Sequence, residues 1–396
     1  MNKVPNLRFK EFSEDWKAER AGNIFASITD KKHNGDLLVL SATQDRGVIP
    51  RNEIGIDIKY EKENLSSYKK VKFNDFIISL RSFQGGIEHS KYEGLVSPAY
   101  TVFNFKNECL FNHNFFAILF KSQNFINRLN TLTYGIRDGK AISFTDFSSM
   151  KLTYPEDKEQ EKIASFFSLI DKKIELQTEK VEELKNYKKG IMQKIFSQEL
   201  RLKDENGNEY PEWEEEKLGN ICDYKNGKTY EEFICENGQY NLISLNSIGI
   251  DGKLKKEHKK VNVCDDFLIK GDLIMVLSDV AHGNFLGLTD IIPTDNIYVL
   301  NQRMGALRRK VDIDVEWLSK YINYNQRYFK LHGQGSSQLN LSKADILNFK
   351  VLIPCLKEQT KIAKVLWEID IKIEKEQEKL EYLNQYKKGL LQQMFV

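Results

Sequence analysis

Residues 143–197 align without a gap on residues 342–396 at a constant offset of 199, with about 25 of the 55 positions identical. The skeleton Pro155, Lys158, Glu159, Gln160, Lys162, Ile163, Ala164, Ile170, Asp171, Tyr187, Lys188, Lys189 and Gly190 returns as Pro354, Lys357, Glu358, Gln359, Lys361, Ile362, Ala363, Ile369, Asp370, Tyr386, Lys387, Lys388 and Gly389. An offset of 199 in 396 residues makes a tandem of two half-length units, a period far too long for a solenoid.

The repeated segment has the pattern of a long helix. Ile163, Phe167, Ile170, Ile174, Val181, Leu184, Ile191 and Ile195 follow alternating spacings of 4 and 3 once Gln177 and Lys188 are counted in the seam. The second copy answers with Ile362, Leu366, Ile369, Ile373, Leu380, Leu383, Leu390 and Met394, with Glu376 and Lys387 in the gaps. A sustained 3.5-residue period predicts a coiled coil, so two helices of about 40 residues, each about 60 Å long, are expected to pack on each other. Pro155 and Pro354 suit helix starts, and Gly190 and Gly389 mark either fraying or a close contact.

Ahead of each helix, strand-like runs occur in matching order: LLVLSA from Leu37 and DFIISL from Asp75, then YNLISL from Tyr240 and DLIMVL from Asp272. Helical patterns follow from Phe111 and Val315, and FSEDWKAERAGNIF from Phe12 is echoed by YPEWEEEKLGNICD from Tyr210. The expected architecture is α+β: two mixed α/β domains and two long coiled-coil helices that pack on each other, in a tandem that imitates a symmetric dimer. Its boundaries are 1–150, 151–203, 204–349 and 350–396, the first and third spans being domains and the others repeated helical regions. Scaffolds that repeat while their inserts diverge imply recognition of two different things.

Composition narrows the class. Hydrophobic residues at 41% and charged residues at 29% are those of a globular chain. Absence of an 18-residue apolar window and of an apolar leader leads to the expectation of a cytoplasmic protein. The five cysteines are odd in number and never spaced C-x-x-C, which points to reduced thiols. Net charge is only +2, yet KLKKEHKK from Lys253, RRK from Arg308 and KKVK from Lys69 concentrate positive charge locally, as a solvated face or a phosphate-binding surface would.

No phosphate loop, His-Glu-x-x-His, Gly-x-Ser-x-Gly or Asn/Asp-Pro-Pro-Tyr/Phe motif occurs, and the 6 histidines are scattered, so no catalytic residue and no metal site is assigned. The polar loops are better candidates, because base edges are read by Arg, Lys, Asn, Gln and Ser side chains on a rigid frame. In the first half these are Gln44, Arg46, Arg51, Arg81, Ser82, Gln84, Arg137 and Lys140. In the second they are Asn246, Lys253, Ser278, His282, Asn284, Gln302, Arg303, Gln334, Ser336, Ser337, Gln338 and Lys343. The alternative is plain polar surface. Most of the 24 phenylalanines are expected in the core.

PEDKEQEKIA from Pro155 and PCLKEQTKIA from Pro354, each followed by Ile-Asp and Lys-Lys-Gly, together with VSPAYTVF from Val96 and LNQRMGALR from Leu300, resemble the DNA-specificity subunits of type I restriction-modification systems. The resemblance spans essentially the whole chain, and it implies that the two α/β domains are separated by two long antiparallel coiled-coil helices with pseudo-two-fold symmetry. It implies a non-catalytic DNA-binding subunit with two target-recognition domains for a bipartite asymmetric site, in a methyltransferase/endonuclease complex. It also implies double-stranded DNA, two adenine methyltransferase subunits and restriction-translocase subunits as partners. S-adenosylmethionine, ATP and Mg would sit on those partners, with no cofactor on this chain. A non-enzymatic coiled-coil scaffold with two protein-binding domains is the other reading.

Overall fold

The computed structural model describes residues 4–44, 46–54, 62–80, 82–132, 142–280 and 283–396. They form two compact units, Met1–Glu179 with Gln377–Val396, and Lys180–Glu376. Each unit therefore takes the first half of one repeat and the second half of the other. No helix among the described residues is long and apolar enough to cross a membrane.

In the first unit, a four-stranded antiparallel sheet runs in the order Phe25–Ile28, Thr101–Phe105, Phe76–Ile78, Glu88–His89. Alternation puts Phe25, Phe76, Phe103 and Phe105 on one face, where they meet Phe116, Phe120 and Phe147 from helices. Ring centroids 4.8–5.8 Å apart surround Phe25, so the phenylalanine count is mainly a core, as expected. Two helices, His113–Leu119 and Gln123–Asn130, are capped by the side chains of Asn112 and Ser122. Lys17–Arg20 pairs with Lys151–Tyr154 and joins the start of the domain to its end.

The second unit repeats this plan with other side chains. Its sheet runs Cys222–Asn226, Met304–Arg309, Leu273–Val276, Thr289–Ile291, its helices are Val315–Tyr324 and Gln326–His332, and Glu214–Lys217 pairs with Lys350–Ile353. A second sheet places Tyr240–Ile243 between Lys259–Val261 and Tyr298–Leu300. Identical capping boxes, Ser143 with Asp146 and Ser342 with Asp345, begin the repeated segment in both units.

The long helices are Asp157–Phe196, of 40 residues, and Leu356–Met394, of 39. Ile163, Phe167, Ile170, Ile362, Leu366 and Ile373 are buried, while Ile174, Leu184, Ile369 and Leu383 are half-buried, so the seam read from periodicity is the packed face. Within each unit the two helix halves are antiparallel. Lys387 reaches Asp171 at 2.5 Å in the first, and Lys188 reaches Asp370 at 2.6 Å in the second. Thus the Lys-Lys-Gly of one copy meets the Ile-Asp of the other. Gly190 and Gly389 mark neither fraying nor contact, because helix continues past both and a Cβ at either would meet nothing within 4 Å.

Candidate nucleic-acid interface

The repeated Glu-Gln pair fastens each unit from inside. Glu159, fully buried, accepts from Arg8 Nε at 2.8 Å and from an Arg8 terminal nitrogen at 2.7 Å. Glu358 accepts from Arg201 at 3.1 Å twice and from Trp213 Nε1 at 3.0 Å. Those hydrogen bonds raise both arginines further above their usual pKa. The neighbouring glutamines act alike: Gln160 donates to the Pro155 carbonyl and accepts from Asn112 N, and Gln359 donates to the Pro354 carbonyl and accepts from Asp314 N. Asn112 and Asp314 are the caps of the first domain helices, so each signature pins a helix start, a lead-in arginine and a cap together. Arg8 and Arg201 were not among the expected functional residues, although Leu7-Arg8-Phe9-Lys10 and Leu200-Arg201-Leu202-Lys203 share a pattern.

With the scaffold fixed, exposed polar loops remain for reading. In the first unit, Gln44 and Arg46 lie exposed at the hairpin joining Leu40–Thr43 to Gly47–Pro50. Gln44 Nε2 donates to Gln84 Oε1 at 3.0 Å, which brings two expected residues together. Arg46 donates to the Glu53 carbonyl at 3.1 Å. Arg51 is half-buried, donates to Ser41 Oγ at 3.1 Å and lies 5.9 Å from the Tyr68 ring centroid. Ser82 is buried and accepts from Ser79 N at 2.8 Å, so its hydroxyl supports a turn. Arg81, Arg137, Lys140 and His282 lie outside the described residues.

The second unit gathers its candidates in two places. Ser278 is buried and accepts from Gln338 Nε2 at 2.6 Å, across the paired strands Ser278–Val280 and Gln338–Asn340. Gln338 also donates to Asn340 Oδ1 at 3.0 Å. Gln334, Ser336 and Ser337 are exposed beside this ribbon, and Lys343 is 6.0 Å over the Tyr224 ring. The other group is Asn246, Gln302 and Arg303, which line one recess. Asn284 is exposed apart from them, and Lys253 is paired at 3.3 Å with Glu374 on the long helix.

Beneath the loops, equivalent core positions hold different chemistry. Asp272, buried, accepts two hydrogen bonds from Arg308 at 2.7 and 2.6 Å. Its counterpart Asp75 accepts from Asn104 at 2.9 Å, and Asn104 in turn accepts from His113 Nε2 at 2.9 Å. Among the described residues no group of three or more His, Cys, Asp or Glu is arranged to hold a metal ion.

Known proteins share this organisation. The family model of the type I restriction modification DNA specificity domain matches twice, over residues 13–186 and 210–385. The type I restriction enzyme MjaVIII specificity subunit of Methanocaldococcus jannaschii is 26% identical over 410 aligned residues, covering 96% of this chain and 91% of that protein. A putative MjaX specificity subunit from the same organism is 26% identical over 270 residues, 63% of this chain and 60% of that protein. In fold, the chain is similar to the S subunit of a type I system from M. genitalium, with TM-score 0.57, 17% identity and 99% of each chain covered. A chain from a structure describing assembly and conformational transition of the type I R-M system gives TM-score 0.62 at 16% identity, covering 95% of this chain and 96% of that one. With the family domain matched over most of its length, the chain belongs to the type I restriction-modification DNA specificity family and carries two domains for recognition of a DNA target.

Proposed function

We propose that this chain reads a bipartite, asymmetric site in double-stranded DNA through its two domains and positions two adenine methyltransferase subunits and restriction-translocase subunits, with no catalysis of its own. S-adenosylmethionine, ATP and Mg then belong to the partners, and target adenines are flipped into partner pockets. The observation that carries this reading is the contrast between an identical fastening, Arg8–Glu159 and Arg201–Glu358, and different side chains above it. A common frame with diverged loops is what reading two half-sites requires. The near-neutral net charge of +2 fits partners that supply part of the phosphate contact. In this reading, helix length sets the unspecified spacer.

Exchange of residues 25–150 for those of another specificity subunit tests it, with methylated adenines mapped by sequencing. One half of the motif should change while the other half and the spacer stay constant. A motif unchanged by the exchange would sink the reading and favour a scaffold whose domains bind protein.

A further inference from the structure

The recess holding Asn246, Gln302 and Arg303 has a volume of about 220 Å³, and Ser244, Lys259 and Glu231 also line it. Gln302 and Arg303 form the turn between Tyr298–Leu300 and Met304–Arg309, and neighbouring backbone holds that turn on several sides. Asn301 N donates to the Ile243 carbonyl at 2.9 Å, Leu277 N to the Arg303 carbonyl at 3.0 Å, and Met304 N to the Asn301 carbonyl at 2.9 Å. The buried Asn301 side chain donates to Glu231 Oε1 at 2.9 Å and accepts from Gln302 N at 2.6 Å. Gly227 lies so close that a Cβ there would stand 1.9 Å from the Asn301 carbonyl oxygen, so only glycine lets the chain pass.

On this fixed turn the Arg303 guanidinium is exposed and has no hydrogen-bond or ion-pair partner among the described residues. Arg8, Arg201 and Arg308 are by contrast each held by a carboxylate. A free, pre-positioned guanidinium costs little ordering on binding. Its fork of donors fits O6 and N7 of guanine, while the amides of Gln302 and Asn246 can donate and accept at adjacent base edges. Thr229 Oγ1 donates to Gln302 Oε1 at 3.0 Å, which orients that amide. Glu231 in the same recess repels phosphate, so the place suits a base edge better than the DNA backbone. Outside the recess, Lys255, Lys256 and Lys260 are exposed and offer the phosphate contacts. The corresponding turn of the first unit, between Gly94–Val96 and Thr101–Phe105, carries Pro98 and Ala99, neither of which has a side-chain donor.

We propose that Arg303 reads a guanine in the half-site of the second recognition domain, with Gln302 and Asn246 contacting neighbouring base edges. This rests on the DNA-reading function above. The test reconstitutes the full chain with its methyltransferase subunits and sequences the adenines methylated in a duplex library randomised at the target. Arg303→Gln should lose its preference for guanine at one position of one half-site, by about 5- to 150-fold in relative methylation, with the other half-site and the melting temperature unchanged. Lys256→Ala, outside the recess, should keep the motif, weaken binding to all sequences and reduce the salt slope by about 1. An Arg303→Gln complex with the wild-type motif overturns the assignment, whether binding is uniformly weaker or unaltered. A motif change from Lys256→Ala also overturns it. Failure of the wild-type complex to methylate any bipartite motif would instead reject the DNA-reading function itself.

Discussion

Lys188 and Asp370 lie 2.6 Å apart in the second unit, and Asp370 also takes Lys320 at 2.9 Å. The counterpart pair in the first unit, Lys387 and Asp171, has Ile118 at the place of Lys320 and an Asp171 side chain that is 50% exposed, against 11% for Asp370. Burial alone would push the Asp370 carboxyl up, but Lys320 and Lys188 outweigh it and hold the group below its ordinary value.

The same substitution should therefore act unequally in the two copies. Asp370→Asn leaves two partly buried ammonium groups facing each other without a carboxylate and should cost about 3 kcal/mol. Asp171→Asn removes a pair whose carboxylate is half-exposed and should cost about 0.5 kcal/mol. Denaturant unfolding of both variants checks this, and equal losses would contradict it.

His89 carries a pH prediction. Burial first, then the charges of His113 and Lys91, lower its pKa from 6.5 to about 4. The folded state then binds fewer protons than the unfolded one between those values, so stability is full above about 6.5 and falls as pH drops toward 4. At pH 5 the loss should be about 2 kcal/mol. His89→Gln should flatten the decline in the first unit's unfolding midpoint between pH 7 and pH 5; an unchanged slope would assign the acid sensitivity elsewhere.

Gly190 and Gly389 recur in both copies, yet a Cβ at either meets nothing within 4 Å. Alanine is the better helix former by about 1 kcal/mol. Gly190→Ala and Gly389→Ala should thus each raise the stability of the isolated chain by about that amount. Lower thermal midpoints for both would show that the helix conformation is not what limits these positions.

Much of this structure is legible from spacing. The seam from Ile163 to Ile195 is periodic because its side chains face a partner helix, and the strands around Phe76 and Ile274 show as apolar runs because both faces are covered. The fastening by Arg8 and Arg201 escapes the constant offset. These arginines are 193 residues apart, whereas Trp16 and Trp213 are 197 apart, so a loop of different length interrupts the echo. Reading loops are harder still. Ser278 looks like Asn246 or Arg303 in a string of letters, but a hydrogen bond from Gln338, 60 residues further on, holds the serine inward while the other two face outward. Such choices depend on contacts between residues distant in sequence.

Phe395 shows how the second repeated helix meets the first lead-in segment. It is buried, with ring centroids 6.3 Å from Trp16, 5.6 Å from Phe115 and 6.0 Å from Phe167, and nearby Leu7 N donates to the Gln393 carbonyl at 2.9 Å. Phe196 and the bond from Leu200 N to the Lys194 carbonyl, also 2.9 Å, occupy the same places in the second unit. There the peptide chain itself runs from helix to lead-in segment, whereas in the first unit only non-covalent contact holds the two together. Phe395→Ala and Phe196→Ala should each cost about 3–5 kcal/mol. The covalent link keeps Leu200 near its acceptor at high effective concentration, a restraint that Leu7 lacks. Hydrogen exchange should therefore accelerate at the Leu7 amide in Phe395→Ala well beyond the acceleration at Leu200 in Phe196→Ala, and equal acceleration would mean that tethering contributes nothing at this junction.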